Sequence, residues 1–368
     1  MGKDLPRRTG YADLWLHGGR APRWLFDRMV KLACQILELM LADLSRATIL
    51  EKLADPYWFQ AFGCVLGFDW HSSGLTTTVC GALKEACSAL GPSAGLFVAG
   101  GKGRVSRRTP GEIESVCGKI GLDPAQLVRA SRISAKVDSS CIQDGFTVYH
   151  HTFIFTSEGR WCVVQQGMNP SLRKARRYHW LGDRVTSFVN EPHTAICCDI
   201  RQPTLNLVAS ESQQAREISH QVCLEKPDKS YELLLKVVSS GRNLTMPERH
   251  EIRLEDLNPH RLKPILLKAY ESQPGSYEEL LEIQGVGAKT LRALALVSEL
   301  VYGQPPSYED PARFAFAHGG KDGHPYPVDR PTYDKTIDLI KRAIESAKIG
   351  ERARLDALRR LARAFGCD

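Results

Sequence analysis

Several side chains in this sequence are of types that transfer protons or hold a divalent cation. Gly67-Phe-Asp69-Trp-His71-Ser-Ser-Gly74 joins a carboxylate, an imidazole and hydroxyls in a glycine-bounded turn, a common setting for catalytic groups. Lys136-Val-Asp138, followed by Asp144, brings an amine and two carboxylates next to a β-rich stretch. His150-His151 and Gln165-Gln166 fall on the two arms of an expected hairpin, where they can face each other. Asp69 and Asp138 are the expected ligands of Mg or Mn. With His71, Lys136 and the polar strand residues they would activate water, as metal-dependent nucleases do. Neighbouring strand residues point to opposite faces, so at most one of His150 and His151 joins a given site. The acid-x-Lys pattern of restriction-type nucleases is missing. Its nearest echo is Ser134-Ala-Lys136, so the expectation is metal-assisted hydrolysis as a class. A hydrogen-bonded structural role is the competing reading of each cluster.

Tyr277-Glu-Glu-Leu-Leu-Glu-Ile-Gln-Gly285-Val-Gly287-Ala-Lys289-Thr290 is the most specific stretch. It resembles the helix-hairpin-helix motif of DNA-binding proteins over the motif's whole length. Two helices must reverse within about three residues, and Gly285 and Gly287 are expected to supply the backbone freedom. Val286 is expected to tuck in with Leu280, Ile283 and Leu294. The second helix would offer amides and the positive end of its dipole to a phosphate, with Lys289 and Thr290 beside them. Such contacts are to sugar-phosphate, so binding should be salt-sensitive and tolerant of sequence.

Asp329, in Pro-Val-Asp, sits where helix-hairpin-helix DNA glycosylases carry a catalytic aspartate, and Lys289 matches the lysine of those with lyase activity. It follows Gly287 by 42 residues, a longer spacing than those enzymes have. Ser171-Leu-Arg173-Lys174-Ala-Arg176-Arg177-Tyr-His-Trp180 interleaves cations with aromatics, which suits a nucleic-acid track. Gly100-Gly-Lys102-Gly-Arg104, with Arg107 and Arg108, could cradle phosphate. It lacks the Gly-Lys-Ser/Thr ending of a nucleotide loop, so no nucleotide cofactor is expected.

The elements that must position these groups divide near residue 240. Residues 22–55 and 81–90 read as helices, with a strand and tight loop expected from Phe62 to Thr78. Thr147–Phe155 and Arg160–Gln166 alternate as a hairpin about Ser157-Glu-Gly159. Phe153 and Phe155 share one face of it; His150, Thr152 and Ile154 share the other. Leu205–Ala209 reads as a further strand and Ser210–Ser239 as helical. The expected fold is α+β: a mixed catalytic domain over 1–240, then an all-α nucleic-acid-binding domain over 241–368 with a basic helical tail.

Net charge is +7, and residues 101–180 alone hold 13 Lys and Arg against 6 Asp and Glu. A local excess of this kind marks an anion-binding surface. Eleven cysteines without a CxxC pair fit reduced, buried thiols in a cytoplasmic protein. No stretch approaches a membrane span, so no membrane partner is expected.

Arg7-Arg-Thr-Gly10, Leu16-His-Gly-Gly19, the Gly67–Gly74 turn, His150-His-Thr-Phe153, Val164-Gln-Gln-Gly-Met-Asn169 and Phe316-Ala-His-Gly-Gly-Lys-Asp-Gly-His-Pro-Tyr-Pro-Val-Asp-Arg330 together resemble domain-of-unknown-function family 763. The likeness runs nearly end to end and implies an archaeal or thermophile-type cytoplasmic setting, but no activity. Function therefore rests on the residues: a DNA-processing, metal-dependent nuclease acting in DNA repair, with DNA favoured over RNA as partner. The alternatives are a helix-hairpin-helix glycosylase/lyase and a non-enzymatic DNA-binding adaptor.

Overall fold

The computed structural model describes residues 21–68, 73–239, 259–312 and 350–365, with 338, 341, 342, 344 and 345. Asp69, His71 and Asp329 lie outside the described residues.

The first helical layer follows from local signals. α1 (Arg23–Asp43) buries Met29, Leu32, Ala33, Ile36, Leu37 and Met40, a stripe at three- and four-residue spacing. α2 (Arg46–Ala54) is capped by Ser45, whose hydroxyl accepts from the Thr48 amide at 3.2 Å. α3 (Pro56–Leu66) starts on Asp55, whose carboxylate accepts from the Tyr57 and Trp58 amides, with Pro56 in the first turn. It ends at Gly67, φ +111°, and α4 (Gly74–Leu90) follows. The strand expected from Phe62 is therefore corrected to helix. Every residue of α3 is buried, and a helix covered on all sides shows no apolar–polar period to read.

β1 (Leu96–Lys102), β3 (Thr147–Thr156), β4 (Trp161–Asn169), β5 (Lys174–Leu181) and β6 (Ala195–Cys197) form one antiparallel sheet in that spatial order. The expected hairpin is β3–β4, with His150 opposite Gln166 and His151 opposite Gln165. β2 (Ile142–Gln143) pairs with β7 (Leu205–Asn206) in a separate ribbon, shorter than the strand read at 205–209.

Helices cover both faces of the sheet. Ile154, Cys162, Val164, Ala195 and Cys197 pack into a core with α1–α4 and with Ala357 and Leu361 of α12 (Glu351–Phe365). Phe153, Phe155, Val163, Trp180 and Ile196 face the second layer. That layer holds α5 (Thr109–Ile120), α6 (Ala125–Lys136), α7 (Gln213–Leu224), α8 (Pro227–Ser239), α9 (Pro259–Ser272), α10 (Tyr277–Glu282) and α11 (Ala288–Tyr302). Leu266, Leu280 and Leu294 of the later helices, with Val286 between α10 and α11, join the same apolar cluster as Phe153 and Trp180. The architecture is mixed α+β around an antiparallel sheet.

The described cysteines are free, and all but Cys34 are buried. Among the described residues no helix is long and apolar enough to cross a membrane.

Candidate functional site

α6 leads into a π-helical turn, Val137–Cys141, a local geometry frequent at functional sites. The turn directs Asp138 onto the sheet, where it is fully buried. Its Oδ2 accepts from Gln165 Nε2 at 2.5 Å and Trp180 Nε1 at 3.0 Å. His193 Nε2 lies within hydrogen-bond distance of Asp138 Oδ1, at 2.5 Å. Burial pushes the Asp138 carboxyl above its usual range, against the opposing pull of His193 and Trp180. The His193 ring lies against Trp180, with centroids 4.3 Å apart, so carboxylate and indole fix its orientation together.

His193 lines a shallow pocket with Glu191, Thr194, Asn206 and Pro311. Glu191 holds a left-handed backbone, φ +47°, unusual for a residue other than glycine. With Nε2 engaged by Asp138, Nδ1 is the imidazole nitrogen left to accept a proton. The arrangement can orient and stabilise a general base. Both Asp138 oxygens meet donors of the chain, and Oδ1 has the one partner His193, so acceptor capacity remains on the carboxylate. Among the described residues no three His, Cys, Asp or Glu side chains gather as a cation site.

The remaining expected residues divide between the two faces. His151 shares the Asp138 face, its Nε2 2.9 Å from Ser131 Oγ. Lys136 ends α6 half-buried, its amine pushed below the usual range by burial. His150 lies on the other face, its Nε2 2.9 Å from Thr152 Oγ1. There Gln166 Nε2 donates to the Ser73 carbonyl at 2.9 Å and the Tyr149 hydroxyl at 2.5 Å. Burial lowers His150 to about 3 and His151 to about 4, so both imidazoles are neutral.

The basic track expected at 173–177 is corrected. Only Arg173 is exposed. Lys174 pairs with Asp199 at 2.5 Å. Arg176 lies between Asp144 at 3.0 Å and Asp310 at 2.7 Å, and Arg177 Nη2 donates to Gln60 Oε1 at 2.7 Å. All three cations are buried in β5, out of reach of a phosphate backbone. Clustered cations resemble a surface track in sequence, whereas here each meets a partner brought from elsewhere in the chain.

The 283–288 turn is presented differently. Gly285 is exposed with φ +102°, while Val286 beneath it is fully buried. Gly287 departs from expectation: its backbone is extended, φ −141° and ψ −172°, so the reversal rests on Gly285 alone. α11 starts without a side-chain cap, Lys289 is exposed, and Thr290 is buried on the packed side. Gln143 fixes the turn to the sheet domain, donating to the Ala288 carbonyl at 2.8 Å and accepting from Arg292 Nε at 2.7 Å.

His193 escaped sequence reasoning. It is a single histidine after Pro192 in an unpatterned loop, and its partner Asp138 is 55 residues away.

The family described as Protein of unknown function (DUF763) matches residues 10–328. No curated protein and no solved structure matches the chain.

Proposed function

The chain belongs to the DUF763 family of proteins of unknown function, and for this member we propose DNA binding through the α10–α11 turn, coupled to hydrolysis of the DNA backbone in repair. The observation that carries the reading is Gly287. Any residue can adopt its backbone, and an added Cβ would meet only the Gly285 carbonyl oxygen, at an ordinary 3.9 Å. Nothing within the described chain requires glycine there. A phosphate approaching the first-turn amides of α11 does require it, because a side chain would stand in its path. Exposed Lys289 adds the charge.

In the hydrolytic step, His193 Nδ1 takes a proton from water as the water oxygen attacks phosphorus. The bond from phosphorus to the leaving sugar oxygen breaks on the opposite side, that oxygen takes a proton from solvent water, and the imidazolium returns its proton to solvent. Asp138 orients the imidazole and balances its charge during transfer.

Labelled single-stranded, duplex, uracil-containing and oxoguanine-containing DNA, each with and without Mg²⁺ or Mn²⁺, tests the reading. Backbone cuts are expected, and the metal arms state the cation requirement. Alkali-revealed cuts in chelator would instead support the glycosylase built on Lys289, and binding without cleavage the adaptor. Gly287→Val should weaken binding at least tenfold on unrelated sequences, since a charge-assisted hydrogen bond contributes about 1.5–3 kcal/mol, while loss of the glycine N-cap of α11 lowers the melting temperature only modestly. Unchanged affinity would remove the turn from the binding surface. His193→Gln should reduce cleavage at least about 100-fold and leave affinity intact, the loss typical of a missing general base. Full activity in that variant would dismiss the Asp138–His193 pair.

A further inference from the structure

The local charge excess at 101–180 must be reassigned once Lys174, Arg176 and Arg177 are buried in β5. What remains at the surface is concentrated where β1 ends. Lys102, Arg104, Arg107 and Arg108 are all exposed, four cations within seven residues and no acid among them. Arg104, Arg107 and Arg108 enter no ion pair among the described residues.

The root of this loop is held firmly. Gly100 has φ +90°, and a Cβ there would lie 2.3 Å from the His151 carbonyl oxygen and 2.5 Å from Thr109 Oγ1. The Gly100 amide donates to Glu112 Oε2 at 2.7 Å. Lys84 Nζ donates to the Gly100 carbonyl at 3.0 Å and to Glu112 Oε2 at 2.6 Å. Glu112, the first acid after the cations, is therefore neutralised at the root. Beyond the bend, Gly101 and Gly103 also hold positive φ, and a short 3₁₀ turn, Gly103–Arg108, leads into α5. The Lys102 ammonium lies 5.7 Å from the centroid of the Tyr149 ring, placing a ring beside the charges. An anchored loop loses less freedom on binding than a floppy one, so its charges act together.

We propose that the loop 102–108 is a second contact surface for the phosphodiester backbone of nucleic acid, separate from the α10–α11 turn. The proposal rests on the DNA-binding reading and extends it: substrate is held at two sites in the chain. Spaced guanidiniums that answer to no carboxylate among the described residues suit a run of phosphates, which accept forked hydrogen bonds at each step. A nucleic-acid strand supplies such a run, and the neighbouring ring suits its bases.

The test is equilibrium binding of the full chain to a labelled duplex across a series of salt concentrations. The wild type is compared with Arg104→Ala/Arg107→Ala/Arg108→Ala and with Gly287→Val. Each lost phosphate contact should flatten log affinity against log salt by about 0.9, so the triple variant should lose roughly 2–3 from the slope. Affinity at low salt should fall at least about tenfold, with an unchanged thermal melt because the three side chains are exposed. Gly287→Val should weaken binding independently, and the combined variant should show both losses. An unchanged slope in the triple variant, with wild-type binding intact, overturns this proposal and leaves the turn's role standing. Wild type that binds no DNA overturns the function reading itself. Loop-dependent binding to phosphatidylserine vesicles without DNA binding overturns both, making the partner an anionic membrane surface.

Discussion

Replacing Arg176 with methionine should destabilise the protein by about 3–5 kcal/mol, the loss expected when one member of a buried charge network is removed. The guanidinium is fully buried, 3.0 Å from Asp144 and 2.7 Å from Asp310, and also donates to the Ile200 carbonyl at 3.0 Å. The two carboxylates hold it charged, raising its affinity for the proton against the cost of burial. Methionine keeps much of the stem's volume but loses the guanidinium, which lies 4.6 Å from the Phe146 ring centroid, and strands two carboxylates. Asp144 would retain the Tyr178 hydroxyl, at 2.7 Å, and Asp310 the Gln202 amide, at 2.9 Å. These neutral donors replace a cation poorly. Urea midpoints at fixed slope measure the loss. Arg176→Met/Asp144→Asn/Asp310→Asn, which removes the stranded charges, should be more stable than Arg176→Met alone. A single substitution costing under about 1 kcal/mol would show that the three groups do not act as a buried unit.

Acid should unfold this protein earlier than its surface carboxylates require. His150 and His151 are fully buried, and burial brings them from an ordinary 6.5 to about 3 and about 4. Both are lowered, so the unfolded chain binds protons that the folded chain refuses. Their contribution is intact above pH 6.5 and declines as pH falls toward the folded values. Between pH 6.5 and 4 the loss is roughly 3 kcal/mol for each imidazole. The Asp138 carboxyl, raised by burial, works in the opposite direction and offsets part of this. Stability measured by urea at a series of pH values should slope downward across that window. His150→Gln/His151→Gln should flatten the slope whatever its effect at neutral pH. An equally steep slope in the double variant would assign the acid sensitivity to other groups.

These results also mark which parts of the fold are local in sequence. The β3–β4 hairpin was legible because alternation places Phe153 and Phe155 on one side and Thr152 and Ile154 on the other, and a Gly-containing turn joins the arms. The facing of His151 with Gln165 follows from the same geometry. That both adjacent histidines would be buried was not legible, because it depends on helices covering both sides of the sheet. β5 was misread for a similar reason. The partners of Arg176 lie 32 and 134 residues away, so its neighbours in sequence advertise a charged surface and nothing of the pairing. Asp138 was legible as a site residue, but its engagement with His193 and Trp180 was not, since three separate segments meet there. In the α10–α11 turn, the backbone need at Gly285 was readable, whereas the freedom at Gly287 required coordinates.

The pinned bend at Gly100 bears on how copies of this chain can associate. β1 is one edge of the sheet, and β6, three residues long, is the other. An edge strand with open amides and carbonyls is a template on which a second molecule can add a strand. Here Glu112 takes the Gly100 amide, Lys84 takes its carbonyl, and Gly100 and Gly101 both hold positive φ. The stub of β6 offers too short a ladder at the opposite side. The β1 edge is therefore interrupted at Gly100, which shortens the ladder on which a strand of a second molecule could add.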